Sequence, residues 1–177
     1  MKNLSILFFV ALATIFCSFV GIRDARKNPG TITFSTDAGQ ESVFTVGNWK
    51  FLQCDIKPDA VEKLHVEAEM DMGSINASWK ALEKNIKKKK DYFYVKHFPT
   101  AMLSVNGATK VKDNEYTCNA TLTLRDIAKP VILTFTTSKT TDGLLIKGTG
   151  TVNRRDHEFT GDGPKDLVPV NFEFVAK

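Results

Sequence analysis

A side-chain period of two residues limits what this chain can fold into. From Lys63 to Met72 it places Leu64, Val66, Ala68, Met70 and Met72 on one side of an extended backbone, and His65, Glu67, Glu69 and Asp71 on the other. Successive strand side chains point to opposite faces, so this segment reads as a strand with one buried face. Tyr116–Arg125 repeats the pattern with Tyr116, Cys118, Ala120, Leu122 and Leu124, and Val168–Ala176 does so with Val168, Val170, Phe172, Phe174 and Ala176. Shorter segments at Thr31–Phe34, Ser42–Asn48, Phe51–Ile56, Thr100–Val105, Val131–Thr137 and Leu144–Asn153 extend the series. Lys112-Asp113-Asn114 and Thr141-Asp142-Gly143 carry turn chemistry between neighbours. One segment departs from the rule. Within Ser78–Lys90, Trp79, Leu82 and Ile86 recur at helical spacing, with Asn76 or Ser78 as the expected N-cap. The expectation is an all-β antiparallel barrel or sandwich with one covering α-helix over 78–90. A barrel of about eight strands can leave room inside for one small ligand.

The N-terminus follows a different pattern. Lys2 precedes Leu4–Val20, an uncharged apolar run that Arg23, Asp24, Arg26 and Lys27 end abruptly. This is the arrangement of a secretory signal peptide, and it is short for a membrane span, which takes about 20 apolar residues. The expected organisation is a signal peptide over 1–21, a polar tether over 22–30 and one domain over 31–177, in a protein that is periplasmic or secreted. An uncleaved anchor and a lipidated Cys17 are the alternatives, the second disfavoured by bulky Phe16. In an oxidising compartment Cys54 and Cys118 are either a disulfide pair or separate apolar fillers. A formal net charge of +4 in 177 residues is too small to argue for nucleic acid as a partner.

Little in the chain points to chemistry. Asp156, His157 and Glu158 form its one compact acid–imidazole group, yet consecutive residues of an extended backbone alternate faces and cannot converge on a metal. His65 and His97 stand apart from it. There is no Gly-x-Ser-x-Gly elbow and no glycine-rich phosphate loop. The sequence thus assigns no catalytic residue, no metal and no cofactor. Lys87–Lys90 is either a solvated helix end or a surface for anionic membrane or a phosphorylated lipid head. Arg154 and Arg155 either meet an anionic head as bidentate donors or pair with Asp156 or Asp166.

Four segments, in order, resemble the YceI-like family of exported, lipocalin-like barrels that bind polyisoprenoid lipids. Asp71-Met72-Gly73-Ser74-Ile75 is similar to the family strand ending in Ser-Ile. Asp91-Tyr92-Phe93-Tyr94-Val95-Lys96-His97-Phe98-Pro99-Thr100 is similar to its Asp-Phe-Phe-Asp-Val-x-x-Tyr-Pro-Thr. The stretch Ala120–Val131, which contains Leu122-Thr123-Leu124 and Lys129-Pro130-Val131, resembles Gly-x-Leu-Thr-Ile-x-Gly-Val-Thr-Lys-Pro-Val. Val152-Asn153-Arg154-Arg155-Asp156, followed by Asp166-Leu167-Val168, resembles Ile-Asn-Arg-x-Asp and the closing Asp-x-Val strand. The resemblance spans 66–176; upstream, the family's Asp-x-x-His-Ser strand keeps only Ser42.

The resemblance implies an antiparallel eight-stranded lipocalin-like barrel whose cavity binds, sequesters or transports an isoprenoid-type lipid in the cell envelope without catalysis. The in-facing residues that would line it are Phe44, Trp49, Val66, Met70, Met72, Trp79, Phe93, Leu122, Phe135, Phe172 and Phe174. Arg154, Arg155 and Lys87 are candidate headgroup contacts, and a membrane surface is a candidate partner. Two other readings stay open on the residues alone. One is an enzyme acting on a lipid or quinone-like substrate, with His157, Asp156 or His97 at the mouth. The other is a solid barrel that works through its outer surface.

Overall fold

The computed structural model describes residues 29–36, 43–162 and 165–177. The expected signal peptide, Cys17, Ser42 and nearly all of the tether lie outside them. Nine strands follow the two-residue period: β1 (Gly30–Ser35), β2 (Val43–Asp55), β3 (His65–Ala77), β4 (Thr100–Asn106), β5 (Thr109–Lys112), β6 (Glu115–Leu124), β7 (Ile127–Thr140), β8 (Gly143–Asn153) and β9 (Leu167–Ala176). Each pairs antiparallel with its neighbour, and β4–β6 and β9–β1 close the ring. The result is an eight-stranded barrel, with β5 continuing the β4 track along β6 beyond Gly107-Ala108. The helix α1 (Lys80–Lys88) lies between β3 and β4 at one end.

Two elements differ from the sequence reading. The stretches 42–48 and 51–56, expected as separate strands, form the single strand β2. Its inward set changes parity, from Phe44 and Val46 to Trp49, but β3 changes parity opposite it, from Met72 to Ile75. The register shift between Val46 and Asn48 records this. Ser74 fills the gap in the ladder: its hydroxyl accepts from Asn48 N–H at 2.7 Å and donates to the Asp71 carbonyl. Asp71-Met72-Gly73-Ser74-Ile75 is therefore an irregularity of paired strands, a device that bends a sheet. A second shift leaves Leu52 exposed and returns Cys54 to the inner side. The helix start also differs. Trp79 is the N-cap and no side chain caps the helix; Glu83 instead accepts from the Ala77 N–H at 3.1 Å.

The core is the barrel interior. Gly148 lies on the inner side of β8 because the Phe172 ring crosses it: a Cβ there would meet Phe172 Cζ at 2.2 Å and Phe135 Cβ at 2.7 Å. Cys54 and Cys118 are not joined in a disulfide.

Candidate functional site

The barrel interior is incompletely filled. A lower lobe of about 70 Å³ is lined wholly by apolar side chains, among them Trp49, Val66, Phe135, Phe172 and Phe174. An upper lobe of about 190 Å³ lies under α1, lined by Phe34, Met72, Phe93, Leu122 and Phe159. Ile32 and Met70 line both. Met70, unbranched and with several rotatable bonds, is suited to an adaptable partition between them. Apolar strand faces produced the lower lobe; the upper one depends on residues that arrive from loops.

Among the described residues, the polar lining is at the upper rim, where Thr36, Arg154, Asp162 and Lys165 join it. Leu82 and Ile86 of α1 form part of the same wall, so the helix is built into the cavity. The segment 89–99 and residues 158–162 meet across the mouth. Tyr92 donates its hydroxyl to the Asp162 carbonyl at 2.8 Å, and Thr160 donates to the Asp91 carboxylate at 2.9 Å. Gly161 sits against the Tyr92 ring, where a Cβ would come within 2.5 Å of it. Arg125 lies in the tight β6–β7 turn with positive φ. Its guanidinium rests between Phe98 and Phe159, 5.4 Å from each ring centroid, a cation–π arrangement that ties both segments together. An aromatic series crosses the mouth: Phe44 stacks on Phe34 at 4.9 Å, and Phe34 meets Phe93, which meets Phe159.

The structure places the sequence-predicted residues as follows. Trp49, Val66, Met70, Met72, Phe93, Leu122, Phe135, Phe172 and Phe174 line one lobe or the other. Phe44 is fully buried and supports the wall from behind Phe34. Trp79 is 50% exposed and lies outside the lining. Its backbone is extended, one residue before the helix, so its side chain leaves the stripe that Leu82 and Ile86 share. Arg154 reaches the rim, but its guanidinium donates to the carbonyls of Lys165 and Gly161 and pairs with Asp166 at 3.1 Å. Arg155 binds Asp166 at 2.7 Å, away from the lining, and Lys87 pairs with Glu83 at 2.9 Å. The sequence reading missed Tyr92 and Phe159 as wall residues. Tyr92 stands within a quoted motif, whereas Phe159 sits in a loop where no periodicity can mark it.

The acid–base groups singled out in the sequence are each engaged separately. His157 is buried, its Nδ1 lies 3.0 Å from the Ile127 carbonyl, and burial pushes its pKa down. Asp156 accepts from Asn153 Nδ2 at 3.0 Å, and His97 stacks on Tyr94. Among the described residues, no three His, Cys, Asp or Glu side chains gather as metal ligands. Cys118 lines the lower lobe, where burial pushes its thiol up to about 11. An open hollow of about 610 Å³ lies outside the barrel over Gly148, lined largely by Thr, Asn, Glu and Lys, with no enclosed apolar wall.

Comparison with known proteins places this geometry. Residues 26–176 match the profile of a family described as the YceI-like domain. No curated protein matches the chain. BcnA of Burkholderia cenocepacia superposes with a TM-score of 0.74 at 17% identity, over 84% of this chain and 96% of that one. A YceI protein of Campylobacter jejuni gives 0.67 at 17% identity, over 75% of this chain and 82% of that one. A Saccharophagus degradans domain, described as polyisoprenoid-binding and implicated in plant cell wall breakdown, gives 0.60 at 12% identity, covering 86% and 97%. At such identities the solved structures establish a shared fold.

Proposed function

The chain belongs to the YceI-like family, and from that premise we propose that its barrel binds the apolar chain of an isoprenoid-type lipid, to sequester or carry it in the cell envelope. The observation that carries the proposal is the polarity gradient of the interior. A wholly apolar lower lobe lies next to an upper lobe, with Ile32 and Met70 lining both, and among the described residues the polar lining of the upper lobe is at its rim. That is the profile of a long hydrocarbon with a polar end. Each buried methylene contributes about 0.8 kcal/mol, so the tail supplies affinity without any catalytic group. The polyisoprenoid-binding description of the Saccharophagus degradans domain, which shares the fold, supports the same ligand class.

Binding without chemistry is part of this reading. It is supported by His157 facing a backbone carbonyl and by the scatter of the other acid–base groups. Export is part of it too, resting on Lys2 and the apolar run after it. Among the described residues no helix is long and apolar enough to cross a membrane.

Cys118 provides the test. In a Cys54→Ser background in alkaline buffer, where more of the raised Cys118 thiol ionises, a bound polyprenol or prenylated quinone should cover that thiol and slow its reaction with a small thiol reagent. Native mass spectrometry of the same sample should show the lipid retained. Unprotected Cys118 together with failure to retain either probe would overturn the proposal.

A further inference from the structure

The outer side of the helical lid has a composition that the cavity does not explain. Residues 79–99 carry seven lysines against two acids, Glu83 and Asp91. Both acids are already engaged. Glu83 holds Lys80 at 2.7 Å, Lys87 at 2.9 Å and the Ala77 N–H, contacts that bring its carboxyl down to about 2. Asp91 accepts from Thr160 and, through its carbonyl, from the Gly161 N–H. Lys84, Lys88, Lys89 and Lys96 are exposed and form no ion pair among the described residues, and Lys90 lies over the Tyr94 ring. Lys84 and Lys88 are four apart on the helix, a like-charge spacing that costs helix stability. The opposite end of the barrel has a balanced composition: there Lys110 pairs with Asp113 and Lys112 with Glu115, and exposed Lys57, Lys63 and Lys139 are matched by exposed Asp59, Glu62 and Asp142.

Beside this cationic surface stands Trp79, half exposed, with partly exposed Val43 at the adjoining end of β2, where Phe44 pairs with Ala77. Tryptophan favours the boundary between water and hydrocarbon, and lysines beside it favour an anionic surface. The inner side of the same helix lines the upper lobe through Leu82 and Ile86. We propose that the outer face of α1 and the chain to Lys96 docks on an anionic lipid bilayer, with Trp79 at the interface, holding the barrel mouth against the membrane. This rests on the reading of the barrel as a lipid carrier, for which a mouth set at the bilayer is the position for loading or delivery.

The test uses the protein recovered from expression of the full chain and two vesicle types, phosphatidylcholine alone and phosphatidylcholine mixed with phosphatidylglycerol. The protein should float with the anionic vesicles and be released by salt. Each lysine near such a surface contributes roughly fivefold, so Lys84→Gln, Lys88→Gln, Lys89→Gln and Lys90→Gln together should weaken anionic partitioning by about a hundredfold or more. Trp49 is buried, so brominated lipid should quench Trp79 fluorescence, and Trp79→Phe should abolish the quenching. Equal binding to both vesicle types, or a lysine variant that binds like its parent, would overturn the proposal. The variant should still take up a polyprenol from detergent micelles while acquiring it slowly from anionic vesicles. A parent that docks in this way yet takes up no polyprenol from either source retains the docking surface and refutes the carrier reading alone.

Discussion

The two ends of the barrel are closed by different physics. At the lower end the chain between β2 and β3 folds back as a plug: Val61 and Leu64 are buried, and Ile56 packs against the core. Backbone bonds fix it, from Gly107 N–H to the Leu64 carbonyl at 2.7 Å and from Ala108 N–H to the Glu62 carbonyl at 3.0 Å. At the upper end the closure is mostly a set of side-chain ties, Tyr92 to Asp162, Thr160 to Asp91, and Arg125 between two rings, with one backbone bond from Gly161 N–H to the Asp91 carbonyl at 3.0 Å. Opening the plug means exposing core. Opening the lid breaks polar ties that water can replace and parts the Phe93 ring from the buried Phe159, without unpairing a strand, so the upper end is the one expected to open locally while the barrel stays folded.

The strongest way to break this comparison is Leu64→Ala. Removing a buried leucine should cost about 2–5 kcal/mol of stability in a denaturant titration, with little change in the rate at which a bound polyprenol exchanges at the mouth. A small loss of stability accompanied by rapid exchange would mean that the lower end is the gate. Tyr92→Phe is the converse experiment. Loss of one largely solvent-reachable hydrogen bond should cost about 0.5–1.5 kcal/mol, yet polyprenol release should accelerate, as read by transfer to acceptor vesicles. Unchanged release would remove Tyr92 from the lid.

The smallest effect concerns pH, and it belongs to the upper end, where the 3-10 turn Arg154–His157 follows β8. Burial lowers the His157 pKa, while the Ile127 carbonyl and Asp156 oppose the shift. The unfolded chain therefore binds the proton more readily than the folded one. The stabilising effect is complete above the ordinary histidine value of about 6.5 and is lost as pH falls below it towards the folded value. Stability measured across this window should fall more steeply in the parent than in His157→Gln. Parallel profiles would show that another group governs the acid side.

Much of the lower lobe was legible in the sequence, because its wall is made by strands. Alternation alone turns Val66, Met70, Phe172 and Phe174 inward. The upper lobe was legible only in part. Phe159 enters from a loop whose path is set by Arg154 and Arg125. Trp79 shares helical spacing with Leu82 and Ile86, yet the helix begins one residue later and turns it out. The continuity of β2 was hidden for a similar reason: its change of parity makes sense only beside the matching change in β3.

The sequence by itself determined an antiparallel all-β domain with one helix and the inward set of most strands. Those properties are local, since side-chain direction follows from backbone period. Tertiary structure decided that the apolar faces enclose two adjacent lobes rather than a solid core, and that Arg154 and Arg155 bind Asp166 and loop carbonyls. It also decided that one end is plugged and the other tied. Whether apolar faces meet or leave a space depends on strand curvature, on bulges and on loops that cross the ends, all of which arise from pairing between residues far apart in the chain.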